Sequence, residues 1–236
     1  NHQTAEMIKY ANNSFLATKI SFINQIGNIC EEIPNANIDD ISKAIGLDPR
    51  IGNLFLNAGP GYGGSCLPKD VKAIINFSAK MGINPTLLTA VEKTNKQQID
   101  NILRLTEQNI GKINGKKITI LGVAFKPETD DIRDSVGIGL AKRLLKLGAK
   151  ITIHDPKALE NARKIFRDNA KYVKSIPAAL KDSQCAIIMT QWKDYETIDN
   201  KVIKLMAKKL IIDSRRILSN KILDARYYAI GLGQKI

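Results

Sequence analysis

The chain has 236 residues, 44% hydrophobic and 25% charged, with 36 Lys+Arg against 23 Asp+Glu and a formal net charge of +13. That length and balance describe a folded globular protein of one large domain or two ordinary ones and exclude a disordered or fibrous chain. No window approaches the roughly 18 consecutive apolar residues of a membrane span. Three cysteines and two histidines are too few and too scattered for a disulfide framework or a zinc motif, so a reducing cytoplasm is expected and a metal site is not.

The basic residues are interleaved with acids, as in Glu92-Lys93 and Asp130-Asp131-Ile132-Arg133. Such interleaving suits a solvated surface that attracts phosphorylated ligands better than a nucleic-acid surface. The chain does not begin with Met, and its first residues run directly into helical periodicity, as the interior of a longer protein does.

In chain order, residues 5–33 read as one long helix. Met7, Ile8, Ala11, Phe15, Ile20, Ile23, Ile26 and Ile29 recur there at helical steps, and Pro34 stops the pattern. A short helix follows over 38–45, with Asp39 and Asp40 in its first turn and Gly46 at its end. The segment from Asn57 to Asp70 has no regular period, and its Gly59-Pro60-Gly61-Tyr62-Gly63-Gly64 core marks it as a loop. Helices resume over 70–81 and 85–110, so the first half is helical around one Gly-rich loop.

Beyond Asn114-Gly115 the period changes. Short apolar runs at 117–121, 151–153, 186–189, 210–212 and 228–230 read as strands, with helices such as 135–147 and 158–166 between them. That alternation predicts an α/β architecture: a helical domain over 1–113, then a Rossmann-like parallel sheet over 114–236.

Cys66 is the strongest chemical lead. Gly63-Gly64-Ser65 lets a ligand approach the backbone, and Pro68 and Asp70 open the next helix beside the thiol. A helix N-terminus with Lys69 alongside favours a nucleophilic thiolate. The plainer alternative, a small buried hydrophobe, fits Cys30 and Cys185 better, since both lie on apolar elements. Lys9 and Asn13, four apart on one helical face, could hold an oxyanion, though such pairs are common on helix surfaces. Gly122-Val123-Ala124-Phe125-Lys126 follows the first strand where a dinucleotide fingerprint would sit, but it lacks the G-x-G-x-x-G spacing. His154-Asp155-Pro156 reads as a strand-ending turn, and the sheet is not expected to be the main NAD site.

The loop Gly61-Tyr62-Gly63-Gly64-Ser65-Cys66-Leu67-Pro68-Lys69-Asp70 resembles the UDP-glucose/GDP-mannose dehydrogenase family. So do Ala5 to Asn13, Arg50-Ile51-Gly52, Gly122 to Ser135 and Asp213-Ser214-Arg215, in family order. The resemblance implies the central helical domain, which dimerises, and the C-terminal domain that binds the nucleotide-sugar. An N-terminal NAD-binding domain would lie outside this chain, and the fragment alone should lack turnover.

The implied chemistry is a two-step, NAD-dependent oxidation of the sugar C6 alcohol to a uronate through a thiohemiacetal and then a thioester on Cys66. By the same resemblance Lys9 and Asn13 hold the oxyanion, and Asp70 positions or deprotonates water. Lys69 and Arg133 lie near the cofactor. Asn57, Gly59, Tyr62 and Gly63 wrap the sugar and diphosphate, Phe125, Lys126 and Arg215 contact the nucleotide-sugar, and Arg50 reaches a partner subunit's active site. Arg50-Ile51-Gly52 favours UDP-glucose as substrate, whereas Ser65-Cys66-Leu67-Pro68 also suits GDP-mannose. A nucleotide-sugar-binding or dimerisation module without activity is the non-enzyme alternative. No nucleic acid and no membrane are expected as partners.

Overall fold

The computed structural model describes residues 1–234, which divide into two compact units: residues 1–98 together with those from Gly231 onward, and Ile99–Ile230. The first is helical. Helix α1 (His2–Cys30) starts at Asn1, whose side chain accepts the Thr4 amide at 2.9 Å. It ends three residues before the periodicity does. Pro34 has no N–H to offer the Cys30 carbonyl and disfavours helical backbone at Ile33, so the chain leaves through short bonds from Glu32 to Ile29 and Ile33 to Cys30. Helices α2 (Ile38–Gly46), α3 (Leu67–Lys80) and α4 (Thr86–Ile110) follow, the last continuing into the second unit. Helix α3 begins three residues earlier than the sequence suggests, because Cys66 is its N-cap and Pro68 is preset for a first turn.

The face that α1 buries is not its bulkiest one. Ser14, Ala17, Ser21, Ile23, Asn24, Gly27 and Cys30 face inward, while Ile8, Phe15, Phe22 and Ile29 stand in solvent. Small residues inside let neighbouring backbone approach closely. Two apolar clusters hold this unit, one around Ile23, Cys30, Ile38, Leu56 and Ala58, the other around Ala17, Tyr62, Val71 and Val91. The chain end returns here: Leu232 bridges Asn37, the Ile38 amide donates to the Gly231 carbonyl, and the Gly231 amide donates to Glu31 at 2.9 Å. Nothing in the sequence pattern announces that return.

The second unit is a six-stranded sheet in the order β3-β2-β1-β4-β5-β6, parallel throughout. Its elements are β1 (Lys117–Leu121), α5 (Val136–Lys146), β2 (Lys150–His154), α6 (Leu159–Phe166), β3 (Ala170–Tyr172), α7 (Ile176–Leu180), β4 (Cys185–Ile188), α8 (Asn200–Ile203), β5 (Leu210–Asp213) and β6 (Arg226–Ala229). Every residue of β4 and β5 is buried, as is every residue of β1 after Lys117, which is the signature of a parallel sheet covered on both faces. Strand order reverses between β1 and β4, so right-handed crossovers place α5 and α6 on one face and α7 and α8 on the other. The crevice outside the carboxyl ends of β1 and β4 is where such sheets take ligands. Strand β3 and helices α7 and α8, only three to five residues long, are too short to leave a periodic signal in the sequence.

Candidate active site and nucleotide-binding turn

In the first unit, one buried carboxylate gathers the chemistry. Asp70 lies one turn into α3, with its amide donating to the Cys66 carbonyl at 2.9 Å, which fixes the carboxylate and the thiol at the same helix end. Its Oδ2 accepts Asn13 Nδ2 at 2.6 Å and lies 3.4 Å from Lys9 Nζ, both reaching from α1. Its Oδ1 is 3.7 Å from Lys69 Nζ, too far for a hydrogen bond, and has no hydrogen-bond partner although the side chain is 1% exposed. Cys66 itself is exposed, with Ser65 Oγ 3.7 Å from its sulfur. Cys66, Lys9, Asn13, Asp70 and Lys69 are thus brought to one place.

The Gly-rich loop is held from two helices. Asn24 of α1 accepts the Gly59 amide at 2.7 Å. Asn95 of α4 accepts the Tyr62 amide at 2.8 Å and donates to the Tyr62 carbonyl at 3.0 Å. Gly61 has φ +101°, and a Cβ there would sit 2.6 Å from Asn95 Oδ1, so only glycine permits this grip. The Tyr62 ring packs into the core, where burial pushes its hydroxyl up to about 12. Asn57 is exposed, while Gly59 is buried and Gly63 half-buried. Asn24 and Asn95 went unnoticed in the sequence; the available signal was an asparagine inside each apolar helical stripe. Arg50 lies apart on an exposed turn, its guanidinium forked onto Asp48 at 2.6 Å.

In the second unit, the turn after β1 carries Phe125 and Lys126. Lys126 Nζ stands 5.5 Å from the Phe125 ring centroid, a cation over an aromatic face. Arg215 follows β5. Its amide donates to Asp213 Oδ1 and its Nε to the Met189 carbonyl, both at 3.0 Å, which aims it toward the β4 end. Burial and then neighbouring Arg216 lower it to about 10, so it stays charged at neutral pH. Asp213 is fully buried and anchors this corner, accepting Leu218 N at 2.9 Å and Tyr227 Oη at 3.0 Å; burial raises its pKa against the pull of those donors. Arg133 is exposed and pairs with Asp131 at 2.7 Å; that hydrogen bonding holds the Asp131 carboxyl below its usual range.

A dinucleotide does not fit this sheet's first turn. In NAD-binding sheets the amides of that turn meet the pyrophosphate and an acid after the second strand meets the ribose. Here the Val123 and Ala124 amides donate to Asp155 Oδ2 at 2.7 and 2.9 Å, and the Phe125 amide donates to the Asp131 carbonyl at 3.0 Å. Asp155, after β2, is 1% exposed and turned inward.

Both units have counterparts among known proteins. The chain matches the UDP-glucose/GDP-mannose dehydrogenase family, central domain, over residues 3–97, and the UDP binding domain of the same family over 119–220. It is 44% identical over 234 residues to a UDP-glucose 6-dehydrogenase of Rickettsia conorii, covering 97% of this chain and 54% of that protein. It is 39% identical to the UDP-glucose 6-dehydrogenase TuaD of Bacillus subtilis, over 98% of this chain and 51% of the relative. A UDP-glucose dehydrogenase structure from Pyrobaculum islandicum superposes with a TM-score of 0.89 at 36% identity, over 97% of this chain and 51% of that one. A GDP-mannose dehydrogenase from Pseudomonas aeruginosa gives 0.65 at 25% identity, over 96% and 53%. The chain spans about half the length of the curated relatives it matches. With both the central-domain and the UDP-binding-domain models of one family matched, the chain belongs to the UDP-glucose/GDP-mannose dehydrogenase family.

Proposed function

We propose that this chain supplies the covalent chemistry and the nucleotide-sugar binding of a UDP-glucose 6-dehydrogenase, with Cys66 as nucleophile. The observation that carries this reading is the convergence of Lys9 and Asn13 on Asp70, one turn from Cys66. Nothing in helix stability requires a buried carboxylate with a cation and an amide on it. The names of the relatives favour UDP-glucose, and the GDP-mannose structure is the more distant match.

The C6 alcohol is first oxidised to an aldehyde. The Cys66 sulfur adds to the aldehyde carbon, forming a C–S bond and placing negative charge on the oxygen. Lys9 Nζ has two further protons to direct there and Asn13 Nδ2 one, both oriented by Asp70. A second two-electron oxidation gives the thioester. Water then attacks that carbon, the oxyanion re-forms against the same donors, and the C–S bond breaks to release the uronate and the thiolate. Asp70 Oδ1, buried and without a hydrogen-bond partner, is the acceptor that holds this water and takes its proton. The electron acceptor for both oxidations is NAD. The sheet of this chain does not cradle it, and we assign its main binding segment to the half of the relatives' length that this chain does not span.

In the second unit, Phe125, Lys126 and Arg215 are the nucleotide-sugar contacts: an aromatic face and two cations at the carboxyl end of the sheet suit a base and a diphosphate. In the first unit, Asn57, Gly59, Tyr62 and Gly63 line the sugar and diphosphate through backbone groups. Lys69 of the first unit and Arg133 of the second, the latter on exchanging Asp131 for the ligand, are assigned to the cofactor's phosphates. The assembly is a homodimer through the helical unit. Its support is the exposed Ile8-Phe15-Phe22-Ile29 series, whose seven-residue spacing makes an apolar seam along α1. Arg50 is then the residue offered to the partner, released from Asp48. The expected setting is the cytoplasm; among the described residues no helix is long and apolar enough to cross a membrane.

Calorimetric titration with UDP-glucose and GDP-mannose tests the substrate. Binding of the UDP sugar alone, lost in Lys126→Ala, is the expected result. Preference for GDP-mannose would move the assignment to that branch, and binding of neither would leave a dimerisation module.

A further inference from the structure

The turn after β1 is tied at several points, and two of its amides meet one carboxylate. Asp155 Oδ2 accepts the Val123 amide at 2.7 Å, the Ala124 amide at 2.9 Å and the Trp192 indole N–H at 3.2 Å. Its Oδ1 accepts Lys157 N at 3.0 Å and Ala158 N at 2.8 Å, closing the turn after β2. The two oxygens therefore have separate duties. One holds its own turn; the other joins the turns after β1 and β4, which flank the switch point of the sheet. Around them Gly122 has φ +95°, Ser135 Oγ donates to the Val123 carbonyl at 2.6 Å, and Thr190 Oγ1 donates to the Ala124 carbonyl at 2.7 Å.

A carboxylate with five donors and almost no exposure is far more than a strand-ending turn needs. We propose that Asp155 is the positioning residue of the nucleotide site: through Oδ2 it sets the Val123–Ala124 backbone that presents Phe125 and Lys126, and by occupying the amides on which a dinucleotide's pyrophosphate would sit it leaves the diphosphate of a UDP group to the side-chain cations Lys126 and Arg215. The assignment rests on the proposed UDP-sugar site. It makes Trp192, the single tryptophan of the chain, a reporter of that site through its bond to the same oxygen.

Asp155→Ser separates the two duties. A serine hydroxyl can still close its own turn in place of Oδ1 but is too short to reach Val123, Ala124 and Trp192. Binding of plain UDP is measured by calorimetry well below the unfolding transition, with folding confirmed by circular dichroism. The expected result is UDP binding by the wild type, weakened at least tenfold in Asp155→Ser. Should that variant not fold, the wild type alone decides. The amide resonances of Val123 and Ala124 and the Trp192 indole resonance are expected to move together on UDP addition and to stay still with NAD. Unchanged UDP affinity in a folded Asp155→Ser, resonances that ignore bound UDP, or resonances that respond to NAD would each overturn the assignment. A wild type that binds no UDP would overturn the nucleotide-sugar reading and this assignment together. That result is distinct from failure of the assignment alone, in which wild type and variant both bind.

Discussion

The two units fix their irregular segments by different means. In the helical unit, single side chains reach out of long helices: Asn24 and Asn95 hold the loop at Gly59 and Tyr62, and Lys9 and Asn13 of α1 meet Asp70 of α3. In the sheet unit, carboxylates at strand ends hold the turns: Asp155 after β2 and Asp213 at the end of β5. A helix offers a rigid, repeating platform from which an amide can be aimed across the unit. A parallel sheet ends in a row of turns, and an acid there meets several unpaired amides at once. The first unit thus positions side chains across helices, while the second positions the backbone of its turns.

The largest effect is expected at Gly122, where φ is +95° and a Cβ would lie 2.5 Å from Thr190 Cβ and 2.7 Å from Thr190 N. Gly122→Ala should cost on the order of 3 kcal/mol of stability, read from denaturant unfolding followed by Trp192 emission. A cost below about 1 kcal/mol would mean that the turn tolerates movement and is not a fixed platform.

Next is Asn95→Ala, which strips two hydrogen bonds from Tyr62 and leaves a buried amide unpaired; about 2 kcal/mol is expected in thermal or denaturant unfolding. The same variant should speed alkylation at Cys66 only if loop and thiol move together, which peptide mass mapping would resolve.

A pH effect of intermediate size belongs to the sheet. His154 is buried with Nδ1 3.2 Å from Tyr195 Oη, and burial holds its pKa below the usual value. The unfolded imidazole takes a proton near pH 6.5, which the folded one resists, so its contribution is whole above that pH and lost as pH falls through it. Stability should therefore drop on acidification by up to about 1.4 kcal/mol per pH unit more than in His154→Gln, measured by unfolding series at descending pH. Parallel slopes in the two proteins would contradict this. The smallest effect is expected at Lys96→Ala on α4, whose exposed pair with Glu92 at 2.8 Å should be worth about 0.3 kcal/mol.

The Gly-rich loop, Cys66 and the helix that follows were legible in the sequence because glycine, proline and helix-start chemistry are local. The central strands were legible because buried parallel strands are continuous apolar runs, as in Ile118–Leu121. Asp155 was visible only as a turn residue, since three of its five donors lie more than thirty positions away. The same holds for Asn24 and Asn95, whose loop partners are 35 and 33 positions away. The exposed seam of α1 was misleading in a different way. Periodicity marks an apolar stripe without saying whether the stripe faces the core or the outside, and here the small and polar residues Ser14, Ala17, Ser21 and Asn24 take the inner face.

The account turns on Cys66 capturing a sugar aldehyde. The direct test is alkylation of this chain by iodoacetamide in the presence of UDP-glucose 6-aldehyde, with peptide mass mapping of the three cysteines. Cys66 is exposed while Cys30 and Cys185 are buried, so labelling of the folded chain should fall on Cys66 alone. The aldehyde should protect it in a saturable way, UDP-glucose should protect it far less, and Lys9→Ala should weaken the protection. Labelling of Cys66 at the same rate with and without saturating aldehyde would contradict its assignment as the nucleophile.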